Sequence, residues 1–322
     1  MGLADCHFNI LKSLGLRIFQ AVLTVLGASV LIWSLLPLTP GDPALRLLEA
    51  QGIVAPLPQE IEAVRHDWGM DRPLPVQYFQ WLKRILHGDF STSFQSGKPV
   101  LNELGKRLPC TLMLAGIALA IALFISISAA LIAASYEEQW PDHLIRALTQ
   151  ISATVPSFLM GLLILYLVVL KFNRGQIISG GQFRHVWLPA LCLGIGRSAS
   201  WTQLLRANLL EMLSKRYTLV AKGRGATRLR VLLKYALPNA AIPFLTAVGV
   251  GIGTLLGGAP IIEVIFSWPG TGNFVVESIA ARDMPVIQGF VMISTIIYIV
   301  MSFLVDTLSE LMDSRIRIKG GV

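Results

Sequence analysis

The segment YTLVAKGRGATRLRVLLKYALPN, residues 217–239, holds Lys222, Arg224, Arg228, Arg230 and Lys234 between two long apolar runs. Such cations can pair with carboxylates or phosphates, dock on an acidic partner, or fix which side of a membrane a segment occupies. Elsewhere the residues able to do chemistry stand alone. Arg197 is a basic residue set well inside an apolar run, where an ionisable group is costly and points to an aqueous pathway or a polar substrate, or else to an internal pair. Glu263, near the end of another run, can meet an outside partner or cap or pair locally, and Asp306, near the end of the last, can pair with the basic loop. His66, His87 and His185 lack metal-ligand spacing, and Cys6, Cys110 and Cys192 form no CxxC pair. No metal site, disulfide or bound cofactor is expected. There is no GxxxxGKS or GxxxxGKT phosphate loop and no catalytic constellation, so an enzyme acting alone is not expected either.

The elements that position these residues must be membrane helices. The chain is 54% hydrophobic and 14% charged, against roughly 25% charged in soluble domains, and its mean hydropathy is +0.64. A net charge of +8 could suit nucleic acid, but the cations are clustered between apolar runs rather than spread over a polar surface with stacking aromatics. Nucleic acid is therefore not an expected partner; the lipid bilayer is. Apolar runs of spanning length fall at residues 18–38, 111–135, 148–170, 187–205, 237–266 and 286–308, the fourth being weakest. The expected fold is an all-α polytopic membrane protein with about six transmembrane helices. The first is expected to be retained, because PLTPGDPA rather than a small-residue cleavage site follows it.

Basic residues in short loops give orientation. The loop over 206–236 and the tail over 309–322, with Arg315, Arg317 and Lys319, are expected in the cytoplasm together with residues 1–17. Residues 39–109 then lie outside. They mix charge signs and carry IEAVRHDWGM and VQYFQWLKRIL, whose apolar residues recur at helical spacing, so a small helical subdomain is expected. Within the basic loop, Gly223 and Gly225 followed by Leu229, Leu232 and Leu233 read as a short helix, a glycine turn and a second amphipathic helix entering the bilayer. Such a loop is either a topology determinant or a docking surface for another protein. The GVGIGTLLGG run over 249–258 lies mid-helix, where small residues permit close packing.

The spacing of Gly225 and the Leu237-Pro238 pair resembles the coupling loop of ABC-transporter permeases, although Leu219 and Val220 stand where that family has Glu-Ala. LTPGDPA, GDFSTSF with KPV, VPSFLMGLL, EVIFSWPGTG, RDMPVIQG and DSRIR follow in the order of the dipeptide, oligopeptide and nickel branch, with TPGDPALRLLEAQG and RDMPVIQ most similar to nickel or nickel-metallophore permeases. The resemblance implies the type I importer permease fold with a periplasmic insertion after helix one. It also implies a second homologous permease, two ATPase subunits and a periplasmic substrate-binding protein as partners. Tyr217, Ala221, Lys222, Gly223, Gly225 and Arg228 would couple to the ATPase, and Arg197 and Glu263 are candidates for the translocation pathway or its outer mouth. The cargo would be nickel, a metal chelate or a small peptide, and the location the bacterial inner membrane. The competing class is a transporter driven by an ion gradient, which often shows inverted repeats and midplane acids. No internal repeat is evident here, and the acids lie near helix ends.

Overall fold

Hydrocarbon offers an open backbone amide no partner, so each apolar run must satisfy its own hydrogen bonds as helix. The computed structural model describes residues 3–38, 41–50, 52–53, 55–171 and 183–312. Its helices are α1 (Leu3–Leu38), α2 (Pro43–Ala50), α3 (Pro58–Asp67), α4 (Leu74–Leu86), α5 (Val100–Ser135), α6 (Trp140–Thr154) and α7 (Ser157–Leu165). They continue as α8 (Trp187–Leu213), α9 (Arg216–Gly223), α10 (Arg228–Val231), α11 (Leu237–Ile265), α12 (Thr271–Ala280) and α13 (Met284–Met312). The only β-pairing among the described residues is one antiparallel bridge, Thr92 to Pro99. The side chains of Cys6 and Asp306 and the tail residues Arg315, Arg317 and Lys319 lie outside the described residues.

Among the described residues, four segments are long and apolar enough to cross a membrane: Arg17–Leu38, Val100–Ser135, Arg228–Ile265 and Met284–Val305. A fifth forms if α6 and the helix after it count together, but the two are bent by 102°. The expected continuous span over 148–170 is thus broken. Pro156 disfavours helical backbone at the residue before it, and Val155 is extended at ψ 123°. The expected fourth span, α8, falls short on hydropathy because it carries Arg197, Gln203, Arg206 and several Ser and Thr residues. Eleven of its 27 residues are buried against neighbouring helices, so less of it has to satisfy lipid. Two boundaries also move. α5 begins at Val100 rather than 111, since Glu103 pairs along the helix with Lys106 (3.0 Å) and Arg107 (2.6 Å), and these polar residues extend the helix without raising its hydropathy. α8 runs on to Leu213.

The chain divides into two compact units. The first comprises residues 1–11, 110–269 and 300–322. Its core brings α8 against α11 most extensively, then against α6 and α7, around Leu114, Leu193, Trp201, Leu205, Phe244, Leu255 and Trp268. Ala118, Ala122, Ala130 and Ala134 are wholly buried on α5. Small residues let these backbones approach closely. A Cβ at Gly194 would lie 2.9 Å from Ala118 O, and one at Gly251 would lie 2.5 Å from the Trp201 ring. The small residues of the 249–258 run therefore do pack against neighbours, Gly249 against Val305 and Gly258 against Leu193.

The second unit comprises residues 12–109 and 270–299. Ile32, Trp81 and Met292 form one cluster, and Val100, Leu104 and Val286 another. Two polar locks fix the chain between them. The carboxylate of Asp283, 1% exposed, accepts from Ser93 Oγ (2.5 Å), Phe94 N (3.1 Å) and Gln95 N (3.3 Å). Trp81 Nε1 donates to Gln288 Oε1 at 3.0 Å. The GDFSTSF and RDMPVIQ motifs thus meet at one buried carboxylate.

Candidate functional site

The basic loop folds as its residue types dictate. α9 starts where Thr218, wholly buried, sets its hydroxyl 2.6 Å from Lys215 O and 2.8 Å from Leu213 O. It ends in a glycine cap: Gly225 at φ +83° donates to Lys222 O (2.9 Å), and Ala226 N donates to Ala221 O (3.1 Å). That pair of bonds satisfies carbonyls a helix end leaves open, at a φ that side chains with Cβ disfavour. Thr227 then caps α10 by accepting from Arg230 N at 3.4 Å. A widened π-helical turn, Leu232–Ala236, carries the chain into α11.

What this hairpin presents is both apolar and cationic. Tyr217, Leu219, Val220, Leu229 and Leu233 are exposed, Leu229 by 61%, and so are Lys222, Arg224, Arg228, Arg230 and Lys234. No acidic residue occurs between Glu211 and Glu263. Tyr217, Val220, Arg224, Gly225, Arg230 and Tyr235 line a surface concavity of about 290 Å³. Ala221, one of the expected coupling residues, is only 7% exposed and lies at the floor of that concavity. Arg228 reaches back to Ala134 O (3.3 Å) near the C-terminus of α5, where carbonyls carry the negative end of the helix dipole.

The interior charges separate. Glu263 is wholly buried, its Oε1 accepting from Thr111 Oγ1 at 2.7 Å while its carbonyl accepts from Trp268 N at 2.7 Å. It is closed in between α5 and α11. Arg197 is only partly buried. It lies over Trp201, with 5.3 Å from the guanidinium carbon to the ring centroid. Two further pairings carry no signal in sequence spacing. Asp142, wholly buried at the start of α6, takes two bonds from Arg206 of α8, 2.6 Å from Nε and 2.5 Å from Nη2, and a third from Glu138 N (3.1 Å). The other is Asp283 with Ser93, 190 positions apart; each motif was visible, but not that they meet. No group of three metal-ligating side chains occurs among the described residues.

Residues 122–318 match the family described as binding-protein-dependent transport system inner membrane component, and residues 10–115 match the N-terminal region of such components. The chain is 34% identical over 337 residues to the probable D,D-dipeptide transport system permease protein DdpB of Escherichia coli K12, covering 95% of this chain and 97% of that one. It is 32% identical to the glutathione transport system permease protein GsiC of the same strain (94% and 98% covered) and 33% identical to that of Pectobacterium atrosepticum (94% and 98%). Among solved structures, an amino acid ABC transporter with histidines superimposes with a TM-score of 0.50 at 20% identity, covering 66% of this chain and 94% of that one. That likeness speaks to the fold alone.

Proposed function

Because the chain belongs to the family of binding-protein-dependent transport system inner membrane components, it is a multi-pass inner-membrane permease rather than an enzyme, and we propose that it forms half of the translocation pathway of an ATP-driven importer of small peptides. The observation that carries this is the hairpin of α9 and α10, an apolar and acid-free surface shaped by a glycine cap. It suits a groove on a separate ATPase, with Tyr217, Lys222, Gly223, Gly225 and Arg228 at the contact and Ala221 behind it. A second homologous permease would complete the pathway, two ATPase subunits would drive it, and a periplasmic binding protein would deliver cargo. Of the two interior charges, Arg197 is the one we assign to the pathway, since Glu263 is enclosed.

Relatives named for D,D-dipeptide and glutathione transport support a peptide cargo. The TPGDPALRLLEAQG and RDMPVIQ stretches favour a nickel or nickel-metallophore cargo as the second reading. Proteoliposomes holding both permeases and the ATPases, supplied with binding protein and ATP, are expected to accumulate labelled alanyl-alanine; this chain alone is expected to accumulate none. Accumulation of nickel or its chelate without dipeptide would overturn the peptide reading, and ATP-independent uptake by the lone chain would overturn the importer. The same reading sets orientation. A reporter fused after Gly225 should report the cytoplasm and one fused after Gln51 the outside. Reversed signals would refute that orientation.

A further inference from the structure

Two buried donors in the first unit lack acceptors. Arg197 Nε and Trp201 Nε1 are both enclosed and neither has a hydrogen-bond partner among the described residues. Trp201 is 1% exposed. A guanidinium and an indole N–H can only donate, so neither can satisfy the other. Both lie against Gly251, whose added Cβ would fall 2.9 Å from Arg197 Nε and 2.5 Å from Trp201 Cζ2, an atom two bonds from the indole nitrogen. The adjacent position is less crowded, for among the described residues outside its own turn a Cβ on Gly196 would find only Ser157, at 4.0 Å. No carboxylate among the described residues pairs with Arg197; the ion pair of α8 with α6 belongs to Arg206. A permanently charged group placed in a membrane helix at such cost is normally paired or functional.

We propose that Arg197 and Trp201 form a receiving site for an oxyanion of the cargo, in the first instance a peptide's C-terminal carboxylate. A carboxylate crossing the hydrocarbon zone needs a compensating charge, and a guanidinium backed by an aromatic face supplies one without a counter-ion that must be displaced. The inference rests on the permease reading, but not on the cargo being a peptide, because an anionic chelate would meet the same two donors.

The test has two arms on the fully assembled transporter. In the first, phenylglyoxal, which condenses with accessible guanidinium groups, is followed by mass spectrometry at Arg197. An adduct that excess acetate or alanyl-alanine suppresses, and acetamide does not, is expected. No adduct, as a permanent carboxylate from the second permease would cause, overturns the proposal, and so does an adduct that acetate leaves unchanged. In the second arm, Arg197→Gln at matched membrane level is expected to slow uptake of limiting alanyl-alanine by about tenfold to a hundredfold. Uptake of alanyl-alaninamide should fall by a clearly smaller factor, and Arg197→Lys should fall between. An equal loss for both peptides marks a structural role and overturns the proposal. If the wild-type transporter takes up no alanyl-alanine, the peptide reading falls and acetate suppression of the adduct decides the oxyanion site by itself.

Discussion

Gly225→Val is expected to abolish uptake while leaving the chain inserted in the membrane at its normal level. Gly225 sits at φ +83° with nothing within 4 Å of where a Cβ would project. The strain of a substitution is therefore conformational rather than steric contact with a neighbour. A β-branched side chain in left-handed backbone costs roughly 1–2 kcal/mol or more, comparable to what two capping bonds contribute, so the cap joining Gly225 to Lys222 and Ala226 to Ala221 should open. α9 and α10 would then lose their mutual angle, and with it the match of Tyr217, Leu219 and Leu229 to any groove. Asn tolerates left-handed backbone, so Gly225→Asn should keep much of the activity. The measurements are capture of the ATPase subunit and uptake at matched permease levels. Normal association with normal uptake in the Val variant would remove the docking role from this hairpin, because Lys222, Arg224, Arg228 and Arg230 all remain to set topology.

Asp142→Ala is expected to be the most destabilising single change in the first unit. Asp142 is wholly buried and the Arg206 side chain is 16% exposed. Removing one partner of a buried pair leaves the other charge uncompensated, at about 3–5 kcal/mol. Glu138 N would lose its acceptor too. Thermal unfolding of the purified transporter, and the amount of chain retained in the membrane, should both fall sharply. Replacing both partners, as Asp142→Asn with Arg206→Gln, should cost less than the sum of the two single changes. A single Ala variant as stable as the parent would show that the pair contributes nothing.

The hairpin was legible in the sequence because its signals are local: Gly225 can close α9 in left-handed backbone, and Leu229 and Leu233 repeat at one helical turn. The course of α11 and α13 was legible from apolar length alone. The bend at Val155 was not, although Pro156 was in plain view, because a hydropathy window averages over a break that costs no apolar residue. In sequence Asp142 is one more acid after Glu137 and Glu138, and nothing in a spacing of 64 positions announces Arg206. Arg197 was visible as an anomaly and Trp201 follows it by one turn, yet the glycine that brings both against α11 lies 50 positions on. Long-range pairing is invisible to periodicity, and here it joins Asp142 to Arg206, Thr111 to Glu263 and Ser93 to Asp283.

Ile32 of α1 packs in one cluster with Trp81 and Met292, and only 11% of the apolar window of that helix is buried. Met292 is synthesised about 260 residues after Ile32. At the ~5–20 residues per second of translation, the first helix waits roughly ten to fifty seconds in lipid before its last packing partner exists. Its own hydrophobicity must therefore hold it in the bilayer through nearly the whole of biogenesis, whatever its later contacts add.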